Sequence, residues 1–84
     1  MQASREINEI KKNLKEGQYS EAEQRAKNTI KTFPDAFISW EILGLVYLTT
    51  KKFRDAEKIF KKALQLAPKA PSVWYNLAQA LYAS

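Results

Sequence analysis

The sequence predicts an all-α fold of five helices, paired into antiparallel hairpins that stack side by side, and three observations carry that expectation. The chain repeats itself: sliding it by 34 positions pairs Trp40 with Trp74, Leu43 with Leu77, Tyr19 with Phe53, Ala22 with Ala56, Ile30 with Leu64 and Pro34 with Pro68. Helix-breaking residues are scarce, with two glycines and three prolines in 84 residues, and Gly17, Pro34 and Pro68 fall between the helical segments. The connections are short, which forces consecutive helices to run antiparallel as neighbours and excludes long crossovers.

Taken in order, the register places helices near residues 3–16, 20–32, 36–49, 53–66 and 71–83. Gly17 can adopt the left-handed conformation that closes the first, and Ser20 followed by Glu23 has the spacing of a capping box for the second. Asp35 and Ser72 are further cap candidates for the third and fifth helices. Pro34 and Pro68 stand just past the second and fourth, where a residue that cannot continue the hydrogen-bond ladder ends them, and Pro71 suits the first turn of the fifth.

Composition bounds what such a chain can do. One domain is the most that 84 residues allow, and folding at this size buries only about 60% of the surface exposed by the unfolded chain. The expected stability is roughly 4 to 12 kcal/mol. The sequence contains neither Cys nor His, so disulfides, thiolate nucleophiles, imidazole bases and the common zinc sites are excluded together. It also lacks a glycine-rich phosphate loop, and Glu21 with Glu23 and Asp55 with Glu57 read as helix-surface charges; the sequence therefore points away from an enzyme and implies no cofactor or metal. A hydrophobic fraction of 45% and a charged fraction of 27% are those of a folded water-soluble chain. No apolar run reaches membrane-spanning length and the N-terminal residues carry no leader-like stretch, so a membrane partner is not expected and a cytoplasmic location is the default.

Residues 37–70 read Trp40-x-x-Leu43-Gly44-x-x-Tyr47, then Ala56-x-x-x-Phe60, Ala63 and Pro68, and this pattern resembles a full tetratricopeptide repeat (TPR) at every signature position. Residues 3–36 look like a degenerate first copy that keeps Gly17, Tyr19, Ala22 and Pro34 but has Glu6 in place of the Trp and Ala26 in place of the Phe. Residues 71–84 resemble the first helix of a third copy, with Trp74 and Leu77 kept and Ala78 and Leu81 replacing Gly and Tyr. The resemblance implies one domain, 1–84, of about two and a half repeats forming a short right-handed α-solenoid, whose usual work is protein–protein interaction.

The signature has a packing rationale. Gly44, Ala56 and Ala63 are small where helix axes must come close, while Trp40, Leu43, Tyr47, Phe60 and Trp74 fill the gaps at helical spacing, so these positions are expected to be core. The last helix departs from that economy. Trp74, Tyr75, Leu77, Leu81 and Tyr82 supply more apolar surface than one buried face needs, which reads either as a piece of a longer repeat array or as a surface covered by self-association or a partner.

In the family that the chain resembles, the first helices of successive hairpins line a concave groove that accepts a peptide or helix. Carried over, this geometry points Ile38, Glu41, Ile42, Leu45, Leu48 and Thr49 toward the groove, flanked by Ile7 and Lys11 on one side and Tyr75, Asn76 and Gln79 on the other. The apolar members suit anchors from an amphipathic helix. One branch of the family grips the carboxylate tail of heat-shock chaperones with Lys and Asn side chains. Here the corresponding positions hold Ile7, Lys11, Ile42, Ser72 and Asn76, so a carboxylate-clamp chaperone tail is not the expected ligand. The alternative surface is basic: a net charge of +5 and the residues Lys51, Lys52, Arg54, Lys58, Lys61, Lys62 and Lys69 could face RNA or DNA. Asp55 and Glu57 dilute that patch and no exposed aromatics are interleaved with it, which weighs against nucleic acid.

Overall fold

The computed structural model describes residues 2–84, with side chains from Ser4 onward. Five helices follow one another: α1 (Gln2–Lys15), α2 (Tyr19–Thr32), α3 (Phe37–Thr49), α4 (Phe53–Leu66) and α5 (Pro71–Ala83). Each packs on the next, and α1 touches α3 as α3 touches α5, which is the neighbour pattern of stacked hairpins.

The first and third turns are built alike. At the end of α1, Gly17 has φ +78°, its N–H donates to the Leu14 carbonyl at 3.2 Å, and the Gln18 N–H donates to the Asn13 carbonyl at 2.8 Å. This is a Schellman closure. One repeat later Lys51 takes the same conformation with φ 65°, and the Lys51 and Lys52 amides donate to the carbonyls of Leu48 at 3.1 Å and Tyr47 at 2.8 Å. The turns after α2 and α4 share a different device. The Trp40 Nε1–H donates to the Pro34 carbonyl at 2.9 Å, and the Trp74 Nε1–H to the Pro68 carbonyl at 2.7 Å. Each indole thus ties its own helix to the loop that precedes it, six residues back, and satisfies a loop carbonyl there.

The expected side-chain caps do not form. Gln18, Ala36 and Ala70 stand at the N-cap positions of α2, α3 and α5 without a side-chain cap bond. The tight closure at Gly17 lets α2 start at Tyr19, which puts Ser20 inside the helix, and Glu23 turns to Lys27 and Lys52 instead. Asp35 lies in the turn before Ala36, and Ser72 follows Pro71, the first residue of α5.

The interior consists of two clusters. The first holds Ile7, Ile10, Ala22, Ala26, Ile42, Leu43 and Val46, and the second Ala56, Phe60, Ala63, Val73, Leu77 and Ala80. Tyr47 packs against both. A Cβ on Gly44 would lie 2.6 Å from Phe60 Cδ1 and 2.9 Å from Cζ, so the ring rests directly on the glycine backbone and the close approach of α3 to α4 requires that residue. In the first hairpin the equivalent positions are Ile10 and Ala26, both fully buried in one cluster. The bulk has changed helices: large on the second helix in one hairpin, large on the first in the other.

Candidate functional site

The groove is built by α1, α3 and α5, the first helix of each repeat. Between them lies an open cavity of about 340 Å³. Its apolar floor is Ile7 of α1 and Ile38, Ile42 and Leu45 of α3; its polar rim is Lys11 of α1, Glu41 of α3, and Ser72 and Asn76 of α5. Four residues at i, i+3, i+4 and i+7 on α3 share one stripe, which explains why one helix supplies most of the lining. Across the groove the Asn76 side-chain amide donates to Glu41 Oε2 at 3.2 Å, which joins α5 to α3 and orients the carboxylate.

The groove residues expected from sequence fall into three groups. Lys11, Ile38, Glu41, Ile42, Leu45 and Asn76 line the cavity together. Of these Ile42 is only 2% exposed and belongs to the first cluster, so it forms the floor from within the core. Leu48 packs against the second cluster and faces away from the cavity lining. Thr49 and Gln79 are exposed one turn beyond it on the same stripes, with the Thr49 hydroxyl donating to the Leu45 carbonyl at 2.8 Å, and Tyr75 is exposed beside the groove. Ser72, a cap candidate that also stands with Asn76 at a clamp position of the groove, is a rim residue one helical turn before Asn76.

Among the signature aromatics Phe60 is fully buried and Trp40 and Tyr47 are partly so, but Trp74 is 53% exposed. The difference has a physical source. Trp40 is covered by α4, whose Lys62 Nζ lies 5.5 Å from the ring centroid, whereas no helix follows α5 in the described chain. A second open cavity of about 460 Å³, lined by Arg5, Glu6, Asn28, Thr29, Thr32 and Phe33, lies in the first hairpin where Glu6 replaces the Trp.

The basic residues are partly engaged within the fold. Lys61 pairs with Glu57 at 2.8 Å, Lys52 approaches Glu23 at 3.8 Å and the Tyr47 ring at 5.9 Å, and Lys62 sits on Trp40. Glu23 is the hub of that neighbourhood. Its carboxyl is held below its ordinary range, chiefly by Lys27, 3.0 Å away, while Lys27 is raised by the same contact and Tyr47 is raised first by burial and then by the Glu23 charge.

The sequence profile described as Tetratricopeptide repeat matches residues 13–71 and again 50–84. The chain belongs to the tetratricopeptide repeat family. Proteins of this family are protein–protein interaction modules, typically without catalysis of their own. The chain is also 35% identical over 60 residues to the cytochrome c-type biogenesis protein CycH of Pseudomonas aeruginosa. That match covers 71% of this chain and 15% of the length of CycH. No helix among the described residues is long and apolar enough to cross a membrane.

Proposed function

We propose that this TPR module binds another protein by receiving a peptide or an amphipathic helix of it in the α1–α3–α5 groove. The observation that carries the reading is the groove itself, an apolar floor of Ile7, Ile38, Ile42 and Leu45 framed by Lys11 and by a Glu41 carboxylate fixed by Asn76. An apolar side chain entering it loses water from both partners, and the two opposite charges at the rim set the orientation of what enters. The cavity suits one or two anchors, so a lone module is expected to bind at micromolar strength, about 8 kcal/mol. The likeness to a protein named for cytochrome c-type biogenesis supports an assembly-factor setting for the module, within a longer protein. In this reading the module acts by holding its partner and performs no chemistry.

The test is affinity capture from cell extract at two salt concentrations, with wild type compared against Leu45→Ala combined with Glu41→Arg. Both positions are partly exposed, but Leu45 also packs against the first cluster, so the variant is first shown to be folded by its thermal melt. Loss of a salt-resistant protein band in the variant is the expected result. Retention of the same band by both forms, or capture of nucleic acid that washes off steeply with salt, overturns the groove as the functional surface.

A further inference from the structure

The two charges of the groove are not equivalent. Glu41 and Ile42 stand side by side on α3 and lean to opposite walls: Ile42 packs into the first cluster with Ile7 of α1, while the Glu41 carboxylate is held on the α5 side by Asn76 at 3.2 Å. Glu41 is partly buried, whereas Lys11 on the α1 wall is exposed at the end of a flexible stem. The ion pairs of the fold engage Glu9, Glu21, Glu23 and Glu57. Among the described residues no lysine or arginine pairs with Glu41, although the chain has 14 of them. One repeat away the same position holds Ile7 and Tyr75, so the packing of first helices does not call for a carboxylate there. The Ser72 hydroxyl adds another acceptor to the α5 wall.

On the reading that the groove is the binding surface, we propose that it selects a segment of another protein in which an arginine stands within about one helical turn of an aliphatic anchor, and that Glu41, oriented by Asn76, is the residue that reads the arginine. An aliphatic side chain set between Ile38, which is 37% exposed, and Leu45 covers the groove beside Glu41 and takes water from its carboxylate. A guanidinium replaces that water. Oε2 keeps the bond from Asn76, Oε1 is open to the planar fork, and the Ser72 hydroxyl stands on the same wall for a further N–H. A neutral residue in that place leaves a desolvated carboxylate with one amide donor, and an acidic one meets it with like charge. Lys11 makes a weaker demand, because its ammonium stays in water whatever enters. Ile38 and Leu45 are about 10 Å apart along α3 with Glu41 between them, which fixes the spacing of anchor and arginine at a turn or less. The net charge of +5 acts the other way at long range by attracting acidic segments, so a preference for arginine has to come from the site itself.

The test is selection from a displayed library of short random peptides at physiological salt, run on the whole chain as wild type, Glu41→Gln and Leu45→Ala, each shown to be folded by its thermal melt. Glu41→Gln keeps a side-chain carbonyl for Asn76 and loses only the charge, so a purely structural role of the Glu41–Asn76 bond would leave the selection unchanged. Multivalent display retains binders of micromolar strength. Wild type is expected to enrich aliphatic residues with an arginine within a turn, Glu41→Gln the aliphatic residues without the arginine, and Leu45→Ala neither. In fluorescence anisotropy with a labelled consensus peptide, replacing its arginine by glutamine should weaken binding to wild type about 10-fold and to Glu41→Gln less than about 2-fold. Aliphatic anchors selected by wild type without arginine, or arginine selected equally by Glu41→Gln, overturn the proposal and leave the groove standing as the binding surface. Selection that Leu45→Ala does not alter, or no selection by wild type, overturns the groove and the proposal together.

Discussion

Lys51 holds a backbone conformation that costs a side chain about 1 kcal/mol or more and that glycine adopts freely, as Gly17 does at the equivalent turn. Lys51→Gly is therefore expected to stabilise the fold by roughly 0.5 to 1 kcal/mol, the relief of strain exceeding the added entropy of the unfolded chain. A urea titration checks this: the midpoint rises while the slope stays constant. Ser39 is a second residue at odds with its surroundings, since it is fully buried and its hydroxyl has no partner among the described residues. One repeat later the same position is Val73, also fully buried. Ser39→Ala removes the stranded group without creating a large void, so stability is expected to hold or to rise by up to about 1 kcal/mol. A loss larger than that, by the same titration, would mean that the hydroxyl is hydrogen-bonded after all.

Between elements, the exchange of bulk across the α3–α4 contact makes a coupled prediction. Gly44→Ala alone places a methyl against Phe60, and the overpacking cost of about 1 to 3 kcal/mol outweighs alanine's advantage in a helix. Combined with Phe60→Leu it is expected to cost less than the two single changes together, with a coupling of at least about 1 kcal/mol in a double-mutant cycle. A second link between elements is electrostatic: Glu23 of α2 meets Lys27 of its own helix, Lys52 at the start of α4 and Tyr47 of α3. The lowered carboxyl contributes stability above its ordinary value, lost as pH falls through the depressed folded value; the raised Tyr47 contributes below its ordinary value, lost as pH rises through the raised one. Glu23→Gln is expected to cost under about 1 kcal/mol near neutral pH, because the lysine partners are exposed to solvent, and thermal melts of the two forms should converge as pH falls below the depressed carboxyl value. The helices and their hairpin order were legible in the sequence because period, proline and glycine act locally. The caps were not, since a serine with a glutamate three residues on marks a helix start only when the preceding turn leaves it outside, and Gly17 closes too tightly for that. The groove floor was legible only in part: Ile38, Ile42, Leu45 and Leu48 are all apolar on one helix, and which of them point to the neighbouring hairpin depends on how α4 and α5 pack. The Glu41–Asn76 bond joins residues 35 apart and has no local signature.

At the scale of the molecule there are two cores and one joint. The first cluster is made chiefly within the first hairpin and α3, the second within α4 and α5 with the other side of α3, so cooperativity depends on α3. Tyr47 is the side chain that packs against both clusters, and Asn13 occupies its position in the first repeat, buried and bonded only locally to Gln18 and Glu21. Removing the tyrosine ring takes contacts from both cores at once. Tyr47→Ala is expected to cost about 3 to 5 kcal/mol, a large share of the stability of so small a chain. Tyr47→Phe, which keeps the ring, should retain most of that stability. The consequence for cooperativity is read by native-state hydrogen exchange. In the wild type, α3 amides are expected to exchange only through global unfolding, and α5, which packs on one side alone, through a cheaper opening. In Tyr47→Phe that gap persists. In a milder joint variant, Tyr47→Leu, the opening energies of the first and second clusters should separate, with α4 and α5 exchanging together ahead of α1 and α2. Uniform loss of protection across all five helices would show instead that the two cores are held as one unit by the backbone of α3 and that the tyrosine contributes only its own buried area.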